Sequence, residues 1–139
     1  MTLIQSSINN VDGISELSKL QNIELWASES LKDITDTPGI NLKDADLVSC
    51  NKVNDFSPLG TLKYLEKLQI AETKAIPNVD FIKGNVNLVE LSIMESNLLN
   101  GNFDICKTYP SLKAVYFDNR RHYLEKETTF NDFLVSKIG

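Results

Sequence analysis

The sequence contains few of the residues on which catalytic and metal sites depend. Its 139 residues include one histidine and two cysteines. The motifs GxxxxGKS, GxxxxGKT, HExxH, CxxC and GxSxG, which mark nucleotide, zinc, redox and hydrolase sites, are all missing. We therefore predict that the protein is not an enzyme and that it holds no cofactor and no metal ion.

Positive charge and long apolar runs are scarce as well. Lysine and arginine number 14 against 19 acidic residues, a net charge of -5, whereas nucleic-acid binders need clustered basic residues. No apolar run approaches the roughly 18–20 residues that a membrane-spanning helix needs, and residues 1–7 lack the basic and apolar parts of a signal peptide. We expect neither a nucleic-acid nor a membrane partner and, if the chain is complete, a cytoplasmic location.

What the sequence does contain is one apolar pattern, L-x-x-L-x-L followed three residues later by a small or polar residue. Complete copies span residues 20–28, 42–50, 65–73, 88–96 and 112–120, and a half copy opens the chain. Their central residues are Leu3, Leu25, Leu47, Ile70, Ile93 and Phe117. These residues follow one another at intervals of 22, 22, 23, 23 and 24. Such regular spacing predicts a stack of one repeated unit that contains a strand.

Between the strands, apolar residues recur at every third position. The clearest series is Val53, Phe56, Leu59, Leu62, Leu65 and Leu68. A period of three fits neither an α-helix nor a strand, but it suits 3₁₀ turns, in which residues i and i+3 eclipse. We predict 3₁₀ or irregular segments here, with a short helical turn near residues 104–108.

This pattern resembles the leucine-rich-repeat superfamily, in its short 22–24-residue class of internalin-like and phosphatase-regulator-like proteins, over residues 2–123. The resemblance implies an α/β solenoid: a right-handed horseshoe segment with a parallel six-strand concave sheet and a 3₁₀ or irregular convex side. The family usually has Asn at the ladder position that ends each copy. Here the ladder residues are Ser6, Ser28, Cys50, Thr73, Ser96 and Arg120. Hydroxyls can bond nearby backbone more weakly, whereas Arg120 predicts a last turn open to solvent.

The two cysteines, Cys50 and Cys106, fall on core positions of different repeats. Strands stack about 4.8 Å apart, so two repeats separate the thiols by roughly 10 Å, too far for a disulfide. We predict two buried free thiols.

The two ends of the chain differ. Apolar residues at Phe130, Phe133, Leu134 and Ile138 have helical spacing, with Thr128 or Thr129 as the N-cap. We predict one domain over residues 1–139, with a C-terminal cap over about 124–139 and Phe130 and Phe133 as core anchors.

The first strand begins almost at the N-terminus and would present a bare edge. A folded-back tail, a homodimer through this edge, or missing upstream residues would each account for it.

Strand alternation places a distinct set of side chains on the concave face. This face carries seven acidic residues and one lysine, a net charge of −6, while the remaining twelve acidic and thirteen basic residues leave +1. One column is nearly all apolar, with Asp118 as its last member after Ile4, Trp26, Val48, Ala71 and Met94. An exposed apolar stripe with a charged surround is typical of an interaction site. The predicted partner-binding residues are Glu24, Trp26, Asp44, Asp46, Val48, Glu72, Glu90, Met94, Tyr116 and Asp118.

These features predict a non-catalytic module that binds a basic or partly apolar protein on its acidic concave face. An immunity-type inhibitor of a toxin is a specific form of this hypothesis. The alternatives are an internalin-like adhesion or effector fragment acting outside its producer, a self-associating structural subunit, or an acidic face that is merely solvated. The segment 120–123, Arg-Arg-His-Tyr, could bind a phosphate or carboxylate, or it could form a surface turn after the last repeat.

Overall fold

The computed structural model describes residues 2–4, 21–26, 41–53, 55–109 and 111–138, and of residues 2–4, 25–26 and 137–138 it describes the backbone alone. The predictions for Ser6 and Ser28, for the cover of the N-terminal edge, and for the side chains of Ile4 and Trp26 therefore lie outside the described residues. Within the described ranges, no helix has both the length and the apolar character that crossing a bilayer demands.

Six parallel strands form one sheet in chain order. Their bounds are β1 Thr2–Ile4, β2 Asn22–Trp26, β3 Asp44–Val48, β4 Lys67–Ala71, β5 Glu90–Ile93 and β6 Ala114–Phe117. A helix, α1, follows at Glu127–Ile138. The predicted α/β fold with a parallel sheet and a C-terminal helix is confirmed.

The repeat frame sets the register of the sheet. Leu47 lies opposite Leu25 on one side and Ile70 on the other, and Ile93 lies opposite Phe117. Within a strand, buried and outward side chains alternate, as at Leu68 and Ile70 against Lys67 and Gln69 on β4. Equivalent residues of successive repeats therefore form rows that run across the strands.

Three 3₁₀ turns lie between the later strands, as the period of three predicts. They span Ser57–Thr61, Asp80–Gly84 and Asp104–Thr108. An Asp or Asn side chain two residues before each turn accepts a hydrogen bond from its first backbone N–H, at 2.8–3.0 Å: the acceptors are Asp55, Asn78 and Asn102. These acceptors satisfy donors that the short turn leaves free.

The first two 3₁₀ turns approach each other to backbone contact. A Cβ atom added to Gly84 would lie 1.8 Å from the carbonyl oxygen of Gly60, and one added to Gly60 would lie 2.7 Å from that of Phe81. Glycine at both positions therefore allows neighbouring repeats to pack at this distance. The core lies between these turns and the sheet, and it includes both cysteines as buried thiols that are not joined in a disulfide, as predicted.

The ladder residues after β3, β4 and β5 bond to the backbone of their own turn. Each side chain of Cys50, Thr73 and Ser96 donates to the carbonyl oxygen two residues earlier, at 3.6, 3.0 and 3.1 Å. The residue between, Ser49, Glu72 or Glu95, has a left-handed backbone, with φ of 53–55°. The predicted ladder role for hydroxyls is confirmed.

The C-terminal helix corrects two predictions. It begins at Glu127, before either threonine, because the side-chain oxygen of Asn119 accepts a hydrogen bond from the Glu127 N–H at 2.8 Å. The prediction that Thr128 or Thr129 is the N-cap is therefore wrong. Phe130 is buried, and its ring centroid lies 6.3 Å from that of Phe103 and 6.2 Å from that of Phe117. Phe133 is 41% exposed.

Phe133 is thus not a core anchor, because it lies on the outer side of the helix. Phe130 and Leu134, which are four residues apart and share one helix face, both pack inward. The Phe133 ring instead lies 5.2 Å from the ammonium group of Lys107, a distance typical of a cation–π contact.

Candidate functional site

One face of the sheet packs on the core. The opposite face, which we call the outer face, carries two rows of side chains. The first row is Asn22, Asp44, Lys67, Glu90 and Ala114, and the second is Glu24, Asp46, Gln69, Ser92 and Tyr116. Every member of both rows is half-buried or exposed. The predicted alternation is confirmed for these positions, and no described element covers them.

Acidic side chains concentrate on β2 and β3. Asp46 lies opposite Glu24 in the register and two residues after Asp44 on the same face. Partial removal of water from its carboxyl group, together with the carboxylates of Glu24 and Asp44, raises the pKa of Asp46 above its ordinary value. The fold therefore holds like charges together at a cost in free energy, and a bound cationic group would relieve this repulsion.

The other end of the outer face carries an aromatic ring on β6, a strand without charged residues. Tyr116 on β6 is 42% exposed, with half-buried Ala114 and Ser92 beside it. Met94, which follows β5, is 37% exposed. Three strand spacings separate β3 from β6, or about 14 Å. Acidic and aromatic groups thus lie at a distance that one short segment of a partner can span.

The prediction that the apolar stripe is exposed is wrong for two of its residues. Val48 and Ala71 are buried, whereas alternation alone predicts that they face outward. A left-handed residue follows each of these positions, but one also follows Met94, so the left-handed turn by itself does not decide which residues of this column are buried. Because it is buried, Val48 is not available for partner binding. Of the stripe's described side chains, Met94 alone is exposed.

The acidic residues after the strands are partly engaged in the fold. The Asp118 carboxylate accepts a hydrogen bond from the Glu95 N–H at 2.6 Å, in the position that backbone carbonyls take for the equivalent N–H groups of Ser49 and Glu72. Glu72 is exposed and accepts a hydrogen bond from the Ser49 hydroxyl at 2.9 Å. Asp118 therefore has a structural role, while Glu72 lies at the rim of the outer face.

The segment 120–123 closes the last repeat. Arg120 Nε donates to the Ser96 carbonyl oxygen at 3.1 Å, and His122 Nε2 lies 2.9 Å from that of Leu98. The buried Tyr123 hydroxyl accepts from the Leu98 N–H at 3.0 Å. These contacts favour a structural turn over an anion site. Arg120 is exposed, which confirms that the last turn is open to solvent.

Sequence reasoning missed a second polar row on the side of the 3₁₀ turns. The buried Asn85 amide donates to the carbonyl oxygens of Leu59 and Leu62, at 2.8 and 3.0 Å, and the Tyr109 hydroxyl donates to that of Ile82. The signal was present, because Asn85 interrupts an apolar series of period three. Its role is to join neighbouring repeats.

An open groove of about 460 Å³ lies between the first two 3₁₀ turns, on the side away from the outer face. Its polar lining includes Asp55 and Asn78, which hold the starts of those turns. Hydrogen bonds from the Ser57 side chain and backbone lower the pKa of Asp55. Among the described residues, no three His, Cys, Asp or Glu side chains are grouped to hold a metal ion.

No protein-family model, curated protein or solved structure matches this chain. What the outer face can bind therefore has to be inferred from its own side chains.

Proposed function

We propose that the chain is a short-class leucine-rich-repeat solenoid that binds a protein partner on its outer face, which is the concave face in such a solenoid, and performs no chemistry. Repeat intervals of 22–24 residues, in-register parallel strands in chain order, 3₁₀ turns and a buried polar ladder support this assignment. A solenoid of this kind presents a wide, rigid strand surface suited to protein binding.

The partner that fits this face is basic and partly apolar. The observation that carries the proposal is the grouping of Glu24, Asp44 and Asp46 at one end of the face, with exposed Tyr116 and Met94 at the other. Acidic groups steer a basic partner during encounter. Tyr and Met are enriched at protein interfaces, and a buried Tyr often dominates the binding energy.

A merely solvated face is the competing explanation, and the two differ in what charge reversal does. Asp46→Lys places a cation between Glu24 and Asp44 without touching the core, since Asp46 is exposed. Asp80→Lys is a matched control, because Asp80 is also exposed but lies in the second 3₁₀ turn, on the other side of the molecule.

The experiment is affinity capture from the native lysate with the wild type, Asp46→Lys and Asp80→Lys in parallel, followed by titration of the purified partner. We expect one basic protein to be retained by the wild type and by Asp80→Lys and lost by Asp46→Lys. Its affinity should fall with added salt, and Tyr116→Ala should weaken it by about tenfold or more, the 1.4 kcal/mol or greater typical of an aromatic anchor. Equal retention by all three proteins would contradict the proposal.

A further inference from the structure

The two rows of the outer face contain one basic side chain, that of Lys67. In the sheet register Lys67 lies opposite Asp44 on β3 and opposite Glu90 on β5. Opposite charges on neighbouring strands commonly pair, yet Lys67 is exposed and forms no ion pair with either carboxylate. Its charge is therefore not used to neutralise these two neighbours and is available to a partner.

The first row thus presents a negative, a positive and a negative group on three successive strands. A uniformly basic segment would place a cation against the Lys67 ammonium group, and like charges that meet in an interface oppose binding. A segment that complements all three positions carries a basic, an acidic and a basic residue. Ala114 is the next member of the row, and because it is small, an apolar side chain of the partner fits there beside Tyr116.

The spacing of the strands favours a helix as the form of this segment. Neighbouring strands lie about 4.8 Å apart, and one turn of an α-helix rises about 5.4 Å. A helix that lies across the strands therefore meets successive strands with residues i, i+4, i+7 and i+11, which share one face. An extended segment repeats its same-face residues at about 6.7 Å, so it would drift out of register by about 4 Å over two strand spacings.

We propose that Lys67 determines which partner binds: the outer face takes a helix with a basic, an acidic and a basic residue at positions i, i+4 and i+7, and the acidic residue pairs with Lys67. This inference rests on the proposed function, because it names the segment that the acidic face recognises. Lys67 then selects against helices that are basic at all three positions.

Two synthetic helical peptides test the pairing. Both are alanine-based, with Lys at positions i and i+7 and Leu at i+11, and position i+4 is Glu in one peptide and Lys in the other. Titration into the isotope-labelled protein at low salt, followed by NMR at the backbone amides of the outer face, gives both affinities. We expect the wild type to bind the Glu peptide about threefold more tightly, within the range of an exposed ion pair, although the Lys peptide carries more positive charge.

Substitutions of Lys67 show whether this preference comes from its charge. Lys67→Glu should reverse the preference, since the Lys peptide then meets a carboxylate at all three positions. Lys67→Gln should abolish it, and takes the place of Lys67→Glu if a third carboxylate beside Asp44 and Glu90 prevents folding. Lys83→Glu makes the same charge change in the second 3₁₀ turn, on the other side of the molecule, and should keep the wild-type preference.

The outcomes separate this inference from the proposed function. A wild type that prefers the Lys peptide, or a preference for the Glu peptide that survives Lys67→Glu or Lys67→Gln, would overturn the inference and leave a purely basic partner in its place. Outer-face amides that respond to neither peptide would also overturn it, while the capture experiment with Asp46→Lys decides the proposed function independently.

Discussion

The contact between the first two 3₁₀ turns gives a sharp prediction for Gly84→Ala. The added methyl group would begin 1.8 Å from the Gly60 carbonyl oxygen, whereas real Cβ contacts are not found below 3.0 Å, so the turns must separate by about 1.2 Å. The φ angle of Gly84 lies outside the left-handed region, which means that alanine is sterically excluded by its neighbour and not by its own backbone.

The expected loss follows from the side chains behind that contact. Leu59 and Ile82, one in each turn, are almost completely buried, and a gap of this size forfeits a large part of their dispersion contacts. Overpacking of this kind typically costs about 1–3 kcal/mol, and the lower chain entropy of unfolded alanine offsets about 0.4–1 kcal/mol of it. We therefore expect the free energy of unfolding to fall by about 1–2 kcal/mol, or a melting temperature lower by about 4 °C for each kcal/mol.

Urea unfolding monitored by circular dichroism measures this change, with an unchanged slope and a lower midpoint. Lys83→Ala is the control, because Lys83 is the exposed neighbour in the same turn and its loss should alter stability by no more than about 0.5 kcal/mol. If Gly84→Ala is as stable as Lys83→Ala, the two turns do not pack as closely as described and the reasoning is wrong.

Three further predictions concern the ladder, the outer face and the helix. Ser96→Ala should lower the free energy of unfolding by about 1–3 kcal/mol in urea unfolding, because it leaves the buried Thr73 N–H without its 3.0 Å acceptor. Asp46→Asn should stabilise the protein at neutral pH, because the pKa of Asp46 is raised in the folded state and its ionised carboxyl group therefore destabilises the fold above that pKa. The gain in the free energy of unfolding should vanish as the pH falls below the ordinary pKa of 3.8. A gain that persisted at lower pH would contradict this cause. Phe130→Ala should destabilise by about 3–5 kcal/mol and Phe133→Ala by much less in thermal melts, and equal losses would show that both rings are core.

Much of this fold can be predicted from the sequence because its signals are periodic. The intervals between Leu47, Ile70 and Ile93 fix the strands, and the series from Val53 to Leu68 fixes the 3₁₀ turns. Periodicity fails where the chain leaves regular structure. Val48 and Met94 occupy the same position of their repeats, each before a left-handed residue, yet Val48 is buried and Met94 is exposed, a difference that alternation does not predict.

The helix and the candidate site show the same limit. Apolar residues at helical spacing predict α1. Its rotation about its axis depends on the hydrogen bonds of Asn119 with the Glu127 N–H and of the Asn131 side chain with the Val115 backbone, which accompany an inward Phe130 and an outward Phe133. Alternation predicts the acidic grouping on the outer face correctly. Its electrostatics depend on the pairing of β2 with β3, because residues 22 positions apart in sequence become neighbours only in the sheet.

The ladder hydroxyl of Ser96 serves more than one repeat at once. It accepts from the Thr73 N–H and lies 3.1 Å from the carbonyl oxygens of both Ile70 and Met94. If either repeat unfolds alone, a buried polar group of the other repeat loses its hydrogen bond, which adds a free-energy penalty to partial unfolding. In a stack stabilised by neighbouring units, such sharing raises cooperativity. The described repeats should therefore exchange their ladder amides as one block, so that the outer face is lost or kept as a whole.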